Sequence, residues 1–65
     1  MKVYNGWVLN INGSEWTVSG SHKLRGVQSY ILTGEDGEKA TITRDILIDG
    51  MSSGDIFYVT SVSPR

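Results

Sequence analysis

Short apolar and β-branched runs alternate with glycine and asparagine clusters along the whole chain, and no stretch carries the repeating three-to-four-residue apolar spacing of a long amphipathic helix. The pattern predicts an all-β protein. Residues 7–18, WVLNINGSEWTV, centre on Asn12-Gly13, the preferred pair for a two-residue turn in which both residues take positive φ. With the turn there, Ile11 faces Ser14, Leu9 faces Trp16 and Trp7 faces Val18, all on one apolar face. The other face pairs Asn10 with Glu15 and Val8 with Thr17 and is mostly polar.

A second hairpin is predicted on Gly34-Glu35-Asp36-Gly37-Glu38. With Asp36-Gly37 as a two-residue turn, Thr33 faces Ala40 and Ile31 faces Ile42, while Leu32 with Thr41 and Tyr30 with Thr43 lie on the other face. This register sets Glu35 against Glu38, a like-charge pair. A four-residue loop with the same register is the alternative. Residues 19–26, polar and bounded by glycine, read as a loop between the hairpins. After the fourth strand, Asp45 is placed to cap a short helical turn and Gly50 to end it. Ser53-Gly54 then turns into a last strand over 55–62, and Ser63-Pro64-Arg65 reads as a frayed end.

The predicted order is therefore two strands, a loop, two strands, a short helical turn and a last strand. Five short strands with a helical turn before the last one resemble the SH3-like small β-barrels, including Tudor and KOW-type modules. The residues carrying the resemblance are Tyr30-Ile31-Leu32, Ala40-Thr41-Ile42 and Gly54-Asp55-Ile56-Phe57-Tyr58-Val59. A truncated OB-like barrel gives a similar string. The first turn is much tighter than the long first loop of peptide-binding SH3 domains. Their tryptophan pair and proline-tyrosine ending are also missing, so a proline-rich ligand is not expected.

Length adds that 1–65 is one small domain, which buries only about 60% of the surface exposed by its unfolded chain. There is no cysteine, so neither a disulfide nor a thiolate metal site is available. Six Lys and Arg against seven Asp and Glu give a net charge of −1, and that balance points to no polyanionic or polycationic partner. No apolar run approaches the roughly 20 residues of a membrane span. The first residues have no signal-peptide apolar core. A cytoplasmic protein with no membrane association is expected.

The chemistry-bearing residues point away from catalysis. His22 is the sole imidazole and lies in the predicted loop beside Lys23 and Arg25, with no third group to orient it as a base. Glu35, Asp36 and Glu38 form the densest carboxylate cluster, but a hairpin tip offers no apolar pocket. The glycines make no phosphate-loop spacing, and the carboxylates no calcium loop. No enzyme activity, cofactor or metal is expected.

Binding remains. Trp7, Leu9, Ile11, Trp16, Val18, Ile31, Ala40 and Ile42 are assigned to the core, with Phe57 and Val59 from the last strand and Ile46, Leu47 or Met51 closing one end. Tyr4, Val8, Tyr30, Leu32, Ile56 and Tyr58 then occupy the opposite phase. Either bent strands draw them inward, or they form an exposed aromatic-aliphatic patch of the kind found at interfaces. On the second reading Tyr4, Val8, Tyr30, Leu32 and Tyr58 are the protein-binding residues. The leading expectation is a non-enzymatic protein-binding module. A Met-initiated chain of this size resembles stand-alone phage, prophage and plasmid accessory proteins, which implies modulation of one host protein. The alternatives are nucleic-acid binding through His22, Lys23 and Arg25 with stacking tyrosines, and a structural subunit whose patch drives homo-oligomerisation.

Overall fold

A computed structural model describes residues 3–61. The elements are β1 (Trp7–Ile11), β2 (Ser14–Leu24), β3 (Val27–Gly34), β4 (Lys39–Thr43), α1 (Arg44–Ser53) and β5 (Ile56–Ser61). The five strands form one antiparallel sheet in the order β4-β3-β2-β1-β5. Among the described residues β4 and β5 do not pair, so the sheet is not closed into a barrel. Because β4 and β5 are opposite edges, the segment joining them must cross a face of the sheet, and α1 does so.

The first hairpin has the predicted register, with Ile11 opposite Ser14 and Leu9 opposite Trp16. Asn12 and Gly13 take φ of 55° and 87°, and the Asn10 side-chain oxygen accepts from the Gly13 N–H at 3.0 Å. The second hairpin differs from the prediction by one residue. Leu32 lies opposite Ala40 and Tyr30 opposite Ile42, with Thr33 opposite Lys39. The loop has three residues, Glu35-Asp36-Gly37. Gly37 donates to the Gly34 carbonyl at 3.0 Å, Gly34 donates to the Glu38 carbonyl at 2.8 Å, and Gly37 has φ 83°. This loop removes the Glu35–Glu38 pairing that a two-residue turn requires. A one-residue slip exchanges the faces of a strand, so Tyr30 and Leu32 enter the core and Ile31 leaves it.

The predicted loop at 19–26 is instead the end of β2 and a turn. Ser19 bulges out of the ladder between Val18 and Gly20. Its hydroxyl donates to the Ile31 carbonyl at 3.2 Å and shares a hydrogen bond with the Thr33 hydroxyl at 3.0 Å. Pairing then resumes to Leu24 opposite Val27, and Arg25-Gly26 make a two-residue turn with φ of 54° and 82°. Sequence pattern alone read this segment as a loop because its side chains are polar, yet the backbone pairs regardless.

The helical segment is also longer than predicted. Thr43 caps it, not Asp45: the Thr43 hydroxyl accepts from the Ile46 N–H at 3.3 Å. Gly54, not Gly50, ends it, with φ 92° and its N–H bonded to the Gly50 carbonyl at 3.0 Å. Gly50 lies inside the helix because β5 passes close by. A Cβ there would stand 2.4 Å from Ile56 Cδ1 and 2.7 Å from its Cγ1. Gly50→Ala is therefore expected to destabilise by about 1–3 kcal/mol through overpacking, partly offset by about 1 kcal/mol of helix propensity. Adding Ile56→Val removes Cδ1 but keeps Cγ1, so it should recover only part of the loss in thermal melts. A Gly50→Ala variant more stable than the parent would contradict this contact.

The core consists of Leu9, Val18, Tyr30, Leu32, Leu47 and Ile56, with Val3, Trp7, Ile11, Trp16, Ile42 and Met51 packed around it. On β5 the phase is again opposite to the prediction: Ile56 is buried, while Phe57 is 53% exposed and Val59 is also exposed. The cause is the pairing of Ile56 with Ile11 and Tyr58 with Leu9, which puts those two on the core face and Phe57 opposite Asn10 on the other. The end of the predicted last strand at Val62 and the tail Ser63-Pro64-Arg65 lie outside the described residues. Among the described residues no helix is long and apolar enough to cross a membrane.

Candidate functional site

The five residues predicted to form a protein-binding patch do not share a surface. Tyr30 is 7% exposed and Leu32 is buried, so both belong to the core. Val8 lies opposite Thr17 on the face away from the helix. Tyr4 and Tyr58 do come together, through a ring that the sequence assigned to the core. Trp7 meets Tyr4 edge-on at 5.9 Å between centroids and Tyr58 at 4.9 Å. Tyr4 and Tyr58 are largely exposed, and Trp7 is half-buried.

His22, Lys23 and Arg25 are brought together on the β2–β3 arm, where residues 21–27 are all exposed. The arm does not carry Tyr30 to its surface, so the combination of cations and that stacking ring is not built. Among the described residues no three His, Asp or Glu side chains gather closely enough to hold a metal ion.

The larger feature is a groove where α1 leaves the sheet uncovered. One cavity of about 520 Å³ runs along β4, lined by Ile11, Trp16, Ala40, Ile42 and Ile46 among others. A second of about 470 Å³ continues from it past Asp49 and Asp55 to Ile56. The two share Ile11, Asn12, Ile42 and Ile46 and so form one channel. A smaller hollow of about 90 Å³ adjoins at Ser14 and Trp16 and is lined by Glu15, Glu35, Asp36 and Glu38.

Local sequence explains each wall. Ile46, Asp49, Gly50 and Ser53 recur at helical spacing and line one face of α1, while Leu47 and Met51 turn to the core. Ile11 and Trp16 sit on the core face of the first hairpin, but near its turn, beyond the cover of the helix. They are half-buried rather than buried. Ile46, assigned to the core from sequence, is 58% exposed and forms the lip. Beside the channel lies the outer edge of β4, whose strand pairs only with β3 among the described residues. An edge of that kind presents unpaired backbone donors and acceptors to an incoming strand.

Charge is distributed unevenly. Six of the seven carboxylates, Glu15, Glu35, Asp36, Glu38, Asp49 and Asp55, line this channel and its adjoining hollow. No Lys or Arg of the described residues lines either. Lys39 is on the opposite face, where its Nζ donates to the Thr33 hydroxyl at 3.0 Å. The sequence gives no sign of the groove, because a short helical turn ending at Gly50 has no second face to form a wall. Compared with family models, with curated proteins and with solved structures, the chain gives no match in any of the three.

Proposed function

We propose that the protein is a non-enzymatic binding module that takes an extended, apolar and basic segment of another protein chain into the groove beside β4. The observation that carries this reading is the conjunction of an apolar floor, an unpaired strand edge and a rim of carboxylates. Strand addition supplies main-chain hydrogen bonds, and alternate side chains of the guest enter the channel at Ile11, Trp16, Ile42 and Ile46. Cationic residues flanking them face Asp49 and Asp55 at one end and Glu35 and Glu38 at the other. The same rim repels a phosphate backbone, so nucleic acid is not the occupant of this site. The strand order β4-β3-β2-β1-β5, with a helical connection before β5, supports reading the fold as an open member of the SH3-like small-barrel class. Modulation of a host protein by a phage-type accessory chain agrees with such a groove, by analogy of size and fold alone.

The test is a titration of the labelled protein with an alternating lysine–isoleucine peptide, followed by NMR. Shifts should concentrate at Ile11, Trp16, Ile42 and Ile46 and shrink as salt rises. Ile46→Asp, an exposed position, should keep the fold and weaken binding about tenfold or more. Shifts confined to Tyr4, Trp7 and Tyr58 would move the site to the aromatic row instead. No shifts at low salt would remove the groove reading.

A further inference from the structure

The chain itself carries a segment of the chemistry that the groove would accept. At the tip of the β2–β3 arm, Leu24 and Val27 are cross-strand partners, 63% and 47% exposed, with Val27 bordering an open hollow toward the start of α1 at Arg44 and Asp45. His22, Lys23 and Arg25 alternate with or flank them. On the β1 side, β2 is paired only from Ser14 to Thr17, with one further bond from the Gly6 N–H to the Val18 carbonyl. The edge from Gly20 to Leu24 is therefore unpaired among the described residues.

We propose that the arm of one copy docks in the groove of a second copy, the free edge of β2 pairing with the free edge of β4. This rests on the groove reading above and names the guest. Leu24 and Val27 enter the apolar channel, while Lys23 and Arg25 meet the carboxylate rim. The contact cannot be made within one molecule. β3 pairs with β2 on one side and with β4 on the other, so the free edges of β2 and β4 face away from each other in one sheet. Arm and groove are different surfaces, so the interface is head-to-tail and each docked pair still offers one free arm and one free groove. Such contacts propagate into rings or open chains. A docked hairpin tip makes a small interface, so assembly is weak and sets in at high concentration and low salt.

Sedimentation equilibrium over a concentration series tests the proposal. Mass should rise above 7.2 kDa at low salt and return to it at high salt. Leu24→Asp removes the arm's apolar tip, and Ile46→Asp spoils the groove; both are surface positions. Each variant alone should stay monomeric, yet an equimolar mixture should form a capped 1:1 dimer and nothing larger. If Leu24→Asp misfolds by circular dichroism, Lys23→Glu with Arg25→Glu serves as the arm variant, with association weakened about tenfold or more. A wild type that associates while the mixture does not would overturn the arm–groove pairing. A wild type that stays monomeric, while the lysine–isoleucine peptide still shifts groove resonances, overturns self-docking and leaves the groove reading standing. Absence of both sinks the two together. A monomer whose arm resonances respond only to a single-stranded oligonucleotide would overturn it in favour of nucleic acid.

Discussion

Leu47→Ala is expected to move the urea unfolding midpoint far below that of the parent. Leu47 is fully buried and is the only buried residue of α1. Truncating such a leucine costs about 2–5 kcal/mol, from lost transfer energy and the cavity left behind. A chain of this length has a total stability of roughly 3–10 kcal/mol, so that loss is a large share of it. Among the described residues the helix is also the only element lying across the face between β4 and β5, which do not pair. Urea denaturation followed by tryptophan emission reads the effect directly. A midpoint within experimental error of the parent would mean that the helix is not a structural part of the core.

The largest expected contrast between two chemically identical changes is Tyr30→Ala against Tyr58→Ala. Tyr30 belongs to the same buried cluster as Val18, Leu32 and Leu47. Removing a buried ring of that size costs about 3–5 kcal/mol. Tyr58 shares its phase with Leu9 but lies on the outermost strand, where its ring rests on Trp7 and stays 44% exposed. Its loss should cost about 1 kcal/mol, the scale of one aromatic pair. Paired melts of the two variants therefore test the register of the second hairpin. A folded, stable Tyr30→Ala would place that ring on the surface and restore the two-residue turn at Asp36-Gly37.

The first hairpin was legible in the sequence because its turn and its two faces agree. Asn12-Gly13 admits one loop length, and only one register puts Trp7, Leu9, Ile11, Trp16 and Val18 together. The second hairpin was not. Both Thr33-Ile31 and Leu32-Tyr30 offer an apolar or β-branched pair to β4, so face sorting does not choose between registers one residue apart. Loop chemistry chooses: Gly37 in the left-handed region closes a three-residue loop and keeps Glu35 away from Glu38. The same ambiguity holds in β5, where Ile56-Tyr58 and Phe57-Val59 are both apolar, and the partner Ile11 decides.

The candidate site was the least legible part. Its wall residues are ordinary core candidates in the sequence, and Ile11, Trp16, Ile42 and Ile46 were all assigned there. They line a channel because the helix is too narrow to cover the whole sheet, a fact of three-dimensional area and not of local pattern. The carboxylates likewise lie scattered from position 15 to position 55. Chain topology gathers them around one channel.

By itself, the amino-acid sequence determined that the chain builds five strands and where the first turn falls. Those properties follow from local φ preference, side-chain alternation and composition, each of which acts over a few neighbouring residues. The tertiary structure alone decided which phase of β3 and β5 is buried, how far β2 and the helix extend, and where the uncovered groove lies. Burial is settled by what packs opposite, and in this chain packing partners lie as far apart as Trp7 and Tyr58, 51 positions along the sequence.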